Sequence, residues 1–148
     1  MDRFPTFYQN RAVEGKYSVY GLPSLEYPGY VKMCLHWGPD INPNERDDVD
    51  EQWVQSRIRQ YIADHFPTLH SEPAIVEPCI YTMLPDEDLV LDKHPVWQNV
   101  VIGAGFSGHG FKLAPVVGKI LTELALGETP SYDINRCKLN RFNCVSKL

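Results

Sequence analysis

Two stretches near the start of the chain alternate apolar and polar positions. Lys16 to Leu22 (KYSVYGL) reads as a strand, broken by Gly21, Pro23 and Ser24. Tyr30 to Trp37 (YVKMCLHW) reads as a second strand, after the turn Tyr27-Pro28-Gly29. Side chains two apart share a face, so Lys32, Cys34 and His36 line one side and Val31, Met33 and Leu35 the other. The short connection predicts an antiparallel ribbon. The row of lysine, thiol and histidine is a candidate site; the same alternation also suits the water-facing side of a half-buried sheet. Met1 to Gly15 has no clear period and reads as a lead-in segment.

Asp47 to Phe66 carries the clearest helical period. Trp53, Val54, Ile58, Tyr61 and Ile62 form one apolar face, and Pro67 stops the helix. Asp48 is the expected cap, with Glu51 three residues on as in a capping box. Nothing on this helix suggests chemistry, so it reads as structural support. Pro73 to Met83 (PAIVEPCIYTM) reads as an extended segment that Pro78 restricts to an edge or a bulge. Cys79 and Tyr81 share a face there; a cysteine in a strand is commonly a small buried hydrophobe. Leu89 to Leu91 is a short strand ending at Asp92, after the turn Pro85-Asp86-Glu87-Asp88.

The strongest local pattern is NVVIGAGFSGHGFK, residues 99–112. Val100, Val101 and Ile102 read as a short buried strand, and Gly103, Gly105, Gly108 and Gly110 turn the chain. A helix follows, with Leu113, Val116, Val117, Ile120, Leu121 and Leu124 on one stripe and Gly127 as its C-terminal glycine. Strand, glycine turn and helix start together make an anion cradle. Lys112 at the start of that helix opposes the macrodipole, which makes sense if it faces an anion; a solvated surface lysine is the alternative. Gly103, Gly105 and Gly108 also fit G-x-G-x-x-G, yet only 40 residues follow Gly108 and Glu128 sits in a turn rather than at a strand end. The cradle therefore reads as one part of a larger site.

Composition narrows the class. The chain has 148 residues, 43% hydrophobic and 22% charged, with a net charge of −5 and no basic cluster, which argues against a nucleic-acid surface. No apolar run reaches the length of a membrane span, and the N-terminus lacks an apolar signal core. Cys34, Cys79, Cys137 and Cys144 are spaced by 45, 58 and 7 residues, which matches no zinc pattern, so no metal site is expected and the thiols read as reduced. There is no C-x-x-C, which weakens a thiol-redox reading of Cys79. The last residues, Ser146-Lys147-Leu148, match a peroxisomal address read by an import receptor, or else a frayed polar tail. Arg136, Lys138 and Arg141 make the irregular segment from Ser131 onward mildly basic.

Three segments then become recognisable: YGLPSLEYPGYVKMCLHWG (20–38), EPCIYTMLPDEDLVLDKHP (77–95) and VVIGAGFSGHGFKLAPVVGKIL (100–121). Together they resemble the C-terminal part of the monomeric sarcosine oxidase family, most of all the peroxisomal sarcosine/L-pipecolate oxidases of animals. The resemblance covers nearly all the chain after about residue 17. It implies an α+β chain with a partial FAD-dependent amine oxidase fold. Residues 17–72 would be part of the substrate domain, with antiparallel strands and a helix. Residues 73–148 would be the C-terminal part of the FAD domain, with strand, glycine turn and helix; residues 1–16 lead in. The family's N-terminal Rossmann βαβ, its ribose-binding acid and its carboxylate-binding arginine are not found here.

The resemblance also assigns roles. Cys79 matches the cysteine that carries FAD through a thioether to the 8α-methyl group, and the backbone of Gly105, Phe106, Ser107, Gly108, His109, Gly110 and Phe111 would contact the flavin. Lys32 and His36 match residues at the flavin and substrate face, Tyr20 and Tyr81 match aromatic residues lining the site, and Lys112 matches the lysine that binds the substrate carboxylate. Leu35 and Leu89 stand where aromatic residues are common. The implied reaction oxidises a secondary amino acid of the sarcosine or L-pipecolate type to an imine and reduces O₂ to hydrogen peroxide, in peroxisomes. The full-length relatives are expected to be monomeric. The alternative is a truncated isoform or fragment, targeted to peroxisomes and inactive.

Overall fold

A computed structural model describes residues 4–45 and 50–145. It divides into two compact units, Met1–Cys79 and Ile80–Leu148. Both contain strands and helices, as the α+β class requires.

The first unit is a three-stranded antiparallel sheet with one helix. Its strands are β1 (Phe7–Val13), β2 (Tyr17–Pro23) and β3 (Val31–Leu35), in the order β1-β2-β3. β2 and β3 form the expected ribbon, with Leu22 opposite Lys32 and Tyr20 opposite Cys34. β1 corrects the aperiodic reading of residues 1–15. Its period is hidden by a register shift between Gln9 and Val13. A bulge inserts unpaired residues and breaks the alternation on which a strand reading depends. Ser18 fills this gap: its hydroxyl accepts from the Arg11 N–H at 3.3 Å and donates to Asn10 Oδ1 at 3.0 Å. Glu14 and Gly15, both with positive φ, then reverse the chain, the geometry that suits the twist of a hairpin.

Helix α1 (Glu51–His65) lies on one face of this sheet. Tyr17, Val19, Leu35 and Tyr61 form the buried centre, packed about by Phe7, Met33, Trp53, Val54, Ile58 and Phe66. Gly21 belongs to the same face; a Cβ there would meet the Phe7 ring at 2.4 Å and the Met33 sulfur at 2.8 Å. The helix begins later than expected. Asp50 is its cap, accepting from the Trp53 N–H at 3.1 Å, and Asp48 lies outside the described residues. The helix ends at His65, before Pro67.

The second unit is built on an antiparallel pair, β4 (Val90–Lys93) and β5 (Val101–Ala104), covered on one face by helix α2 (Ala114–Leu126). Leu89, Leu91, Val117, Ile120, Leu124 and Ile134 form its core. Gly103 allows the close approach of β5 to α2, since a Cβ there would lie 2.9 Å from the Leu121 side chain. Gly127 closes α2 in the left-handed region as expected, donating to Leu124 O at 3.1 Å.

Several boundaries move. Val100 lies outside β5 and is exposed, and Val101 and Ile102 are only half-buried. The segment 73–83, expected to be extended at an edge, is in no strand among the described residues. Val116 is on the expected apolar stripe but exposed. The last segment forms 3₁₀ turns, Asn135–Cys137 and Leu139–Val145. Arg141 secures it with a forked pair to Asp86, at 2.7 and 3.2 Å, and Asp92 accepts from the Leu139 N–H at 3.0 Å. Ser146-Lys147-Leu148 lies outside the described residues.

Candidate functional site

Strand register decides the first group of residues. Val19 and Leu35 turn toward α1, so their neighbours Tyr20 and Cys34 turn to the opposite face. Lys32, opposite Leu22, shares that face and is exposed. His36 follows β3 and is held by its N–H, which donates to Ser18 O at 2.8 Å. Its ring meets the Tyr20 ring edge-on at 6.2 Å between centroids. The expected row Lys32, Cys34, His36 thus stands on one face with Tyr20, away from the helix. The structure adds Tyr8, which pairs with Tyr20 across β1 and β2 and lies 6.5 Å from the His36 ring. Residues 1–15 hide this tyrosine because the bulge masks their strand, leaving Gly15 as the one turn signal.

Cys34 is a subdued thiol. Burial pushes it up, while a hydrogen bond from Tyr20 and the nearby Lys32 charge oppose that effect. Cys79 is different: it is exposed and unpaired in any disulfide, not the buried hydrophobe of the alternative reading.

The second group lies on the turn after β5. Gly105, Ser107 and Gly108 have φ of 65°, 48° and 79°. A Cβ on Gly105 would also meet the Leu84 side chain at 2.4 Å, and one on Gly110 the Phe106 side chain at 2.7 Å. These two glycines also admit the protein's own side chains. Residues Phe111–Leu113 form a 3₁₀ turn before α2, so Lys112 precedes the first α-helical turn rather than standing in it. Leu113 and Ala114 N–H groups are taken by Gly110 O and Phe111 O. Phe111 is 96% exposed and Lys112 is exposed beside it. His109 is half-buried, its Nδ1 3.1 Å from Ser107 O. Tyr81 belongs to the second unit and is 38% exposed. Among the described residues no group of His, Cys, Asp and Glu could hold a metal ion, and no helix is long and apolar enough to cross a membrane.

The model of the FAD dependent oxidoreductase family matches residues 3–124. The chain belongs to that family. It is 53% identical to peroxisomal sarcosine oxidase of Mus musculus and 50% identical to that of Homo sapiens, each over 87% of this chain and 34% of the relative. It is 37% identical to monomeric sarcosine oxidase of a Bacillus species over 82% of this chain and 32% of the relative. The chain spans about a third of the length of these curated relatives.

In the second unit, the left-handed backbone at Gly105, Ser107 and Gly108 and the exposed Lys112 are groups that can meet an anionic ligand such as FAD. In the first unit, the exposed Cys79 thiol is open to a ligand.

Proposed function

We propose that this chain supplies part of an FAD-dependent oxidase of secondary amino acids of the sarcosine or L-pipecolate type, producing an imine and hydrogen peroxide in peroxisomes. One observation carries the reading. Tyr20, Lys32 and His36 stand together on the sheet face that α1 leaves uncovered. The match to sarcosine oxidases supports it.

FAD, when bound, would supply the redox chemistry between the amine and O₂. The chain's own residues do the rest. Cys79 tethers the flavin through its sulfur, and the backbone of Gly105 to Phe111 contacts it. The ammonium of Lys112 pairs with the substrate carboxylate and orients it. Tyr20, Tyr81 and His36 line the substrate side. The ammonium of Lys32 stabilises negative charge as it develops on O₂. Ser146-Lys147-Leu148 addresses the protein to the peroxisomal import receptor.

The test is the visible absorbance of protein produced with added FAD and then precipitated with acid. A flavin band in the pellet, lost in Cys79→Ser, is the expected result. A Cys79→Ser protein that keeps the band would sink the tether. A colourless wild-type pellet would show that this chain alone does not form the tether.

A further inference from the structure

Ser107 has features that contact with a flavin through its backbone does not explain. It is 6% exposed and holds φ at 48°, a region unfavourable to any residue with a Cβ. Strain of this kind persists only where the surroundings fix it, and it concentrates at functional sites. Here the surroundings are specific. The Ser107 N–H donates to Thr82 O at 3.1 Å. Its hydroxyl donates to Gly105 O at 3.1 Å and accepts from the Leu84 N–H at 3.3 Å. The Leu84 side chain, in turn, occupies the space that a Cβ on Gly105 would need.

One buried serine therefore closes the glycine turn on itself and ties residues 82–84 to it. The tie matters because residues 73–84 are in no strand among the described residues, so no ladder holds them. Tyr81 directly precedes Thr82, and Cys79 stands three residues before it.

We propose that Ser107 is a positioning residue. Its hydroxyl holds the Thr82–Leu84 segment against the glycine turn, and so sets the place of Tyr81, the residue directly before it.

Two variants separate hydroxyl from backbone. Ser107→Ala keeps the Cβ at positive φ and removes the hydroxyl; Ser107→Gly also removes the hydroxyl but relieves the backbone strain. In both, the Leu84 amide of the FAD-free protein is expected to exchange roughly tenfold faster, the scale of one lost hydrogen bond, while amides of α2 keep their protection. In both, the Tyr81 ring resonances are expected to shift, while those of Tyr132 stay in place. Ser107→Gly with wild-type Leu84 protection and a wild-type Tyr81 spectrum would overturn the proposal, as would a wild-type Leu84 amide exchanging at the rate of an unfolded chain. If Ser107→Ala fails to fold, Ser107→Gly decides alone.

Discussion

The two units carry their candidate chemistry on different kinds of scaffold. In the first, Tyr20 and Lys32 stand on strands and His36 directly follows one, on a face whose opposite side is filled by α1. The pleat fixes where each side chain points, and the core on the other face fixes the register. In the second, residues 105–112 stand on a turn held by left-handed backbone at Gly105, Ser107 and Gly108 and by hydrogen bonds of Ser107. A strand site tolerates changes on its open face, because packing lies elsewhere. A turn site does not, because the residues that shape it are also the residues that pack.

That contrast is broken most severely at Gly105. An alanine there takes on left-handed strain and must displace Leu84, so Gly105→Ala is expected to destabilise the protein by about 2–4 kcal/mol. The urea midpoint measures it; a loss below about 0.5 kcal/mol would show that the turn adapts as freely as a surface site. Within the first unit the two faces should differ. Val19 is fully buried, and Val19→Ala is expected to cost about 2 kcal/mol in the same measurement. Lys32→Met, on the open face, should change stability by less than about 0.5 kcal/mol. In the FAD-loaded protein it should slow the reaction with O₂ by about 100-fold, read by stopped-flow absorbance; an unchanged rate would remove Lys32 from the mechanism.

The smallest effect is on pH. Hydrogen bonds from Ser131 hold the Glu123 carboxyl below its usual range, and Arg141 does the same for Asp86. Both lie in the second unit. Unfolding lets these groups bind protons more readily, so their contribution is complete above the ordinary carboxylate range and is lost as pH falls through their folded values. Melting temperature should therefore drop between about pH 6 and pH 3, and Glu123→Gln should flatten that slope. An unchanged slope would mean that Ser131 contributes nothing through this carboxyl.

Elements with an undisturbed period could be read from the chain itself. The β2–β3 ribbon, the one-sided row of Lys32, Cys34 and His36, and the glycine end of α2 were all legible. Their cause is local: a pleat has period two, and Gly127 adopts φ of 77° without a Cβ to hinder it. The three motif segments were legible too, and they carried the family. What depends on partners elsewhere in the fold came from the structure. It revealed β1, because a bulge filled by Ser18 hides the period, and with β1 came Tyr8 beside His36. It left residues 73–83 without a strand, because extended character in a sequence does not supply an edge to pair with. It moved the cap of α1 to Asp50, where the carboxylate meets the Trp53 N–H. It also showed that Gly105 and Gly110 make room for Leu84 and Phe106. A glycine in a sequence declares only that a Cβ is missing; which atoms take its place is settled by the fold, by Leu84 far away in the chain at Gly105 and by nearby Phe106 at Gly110.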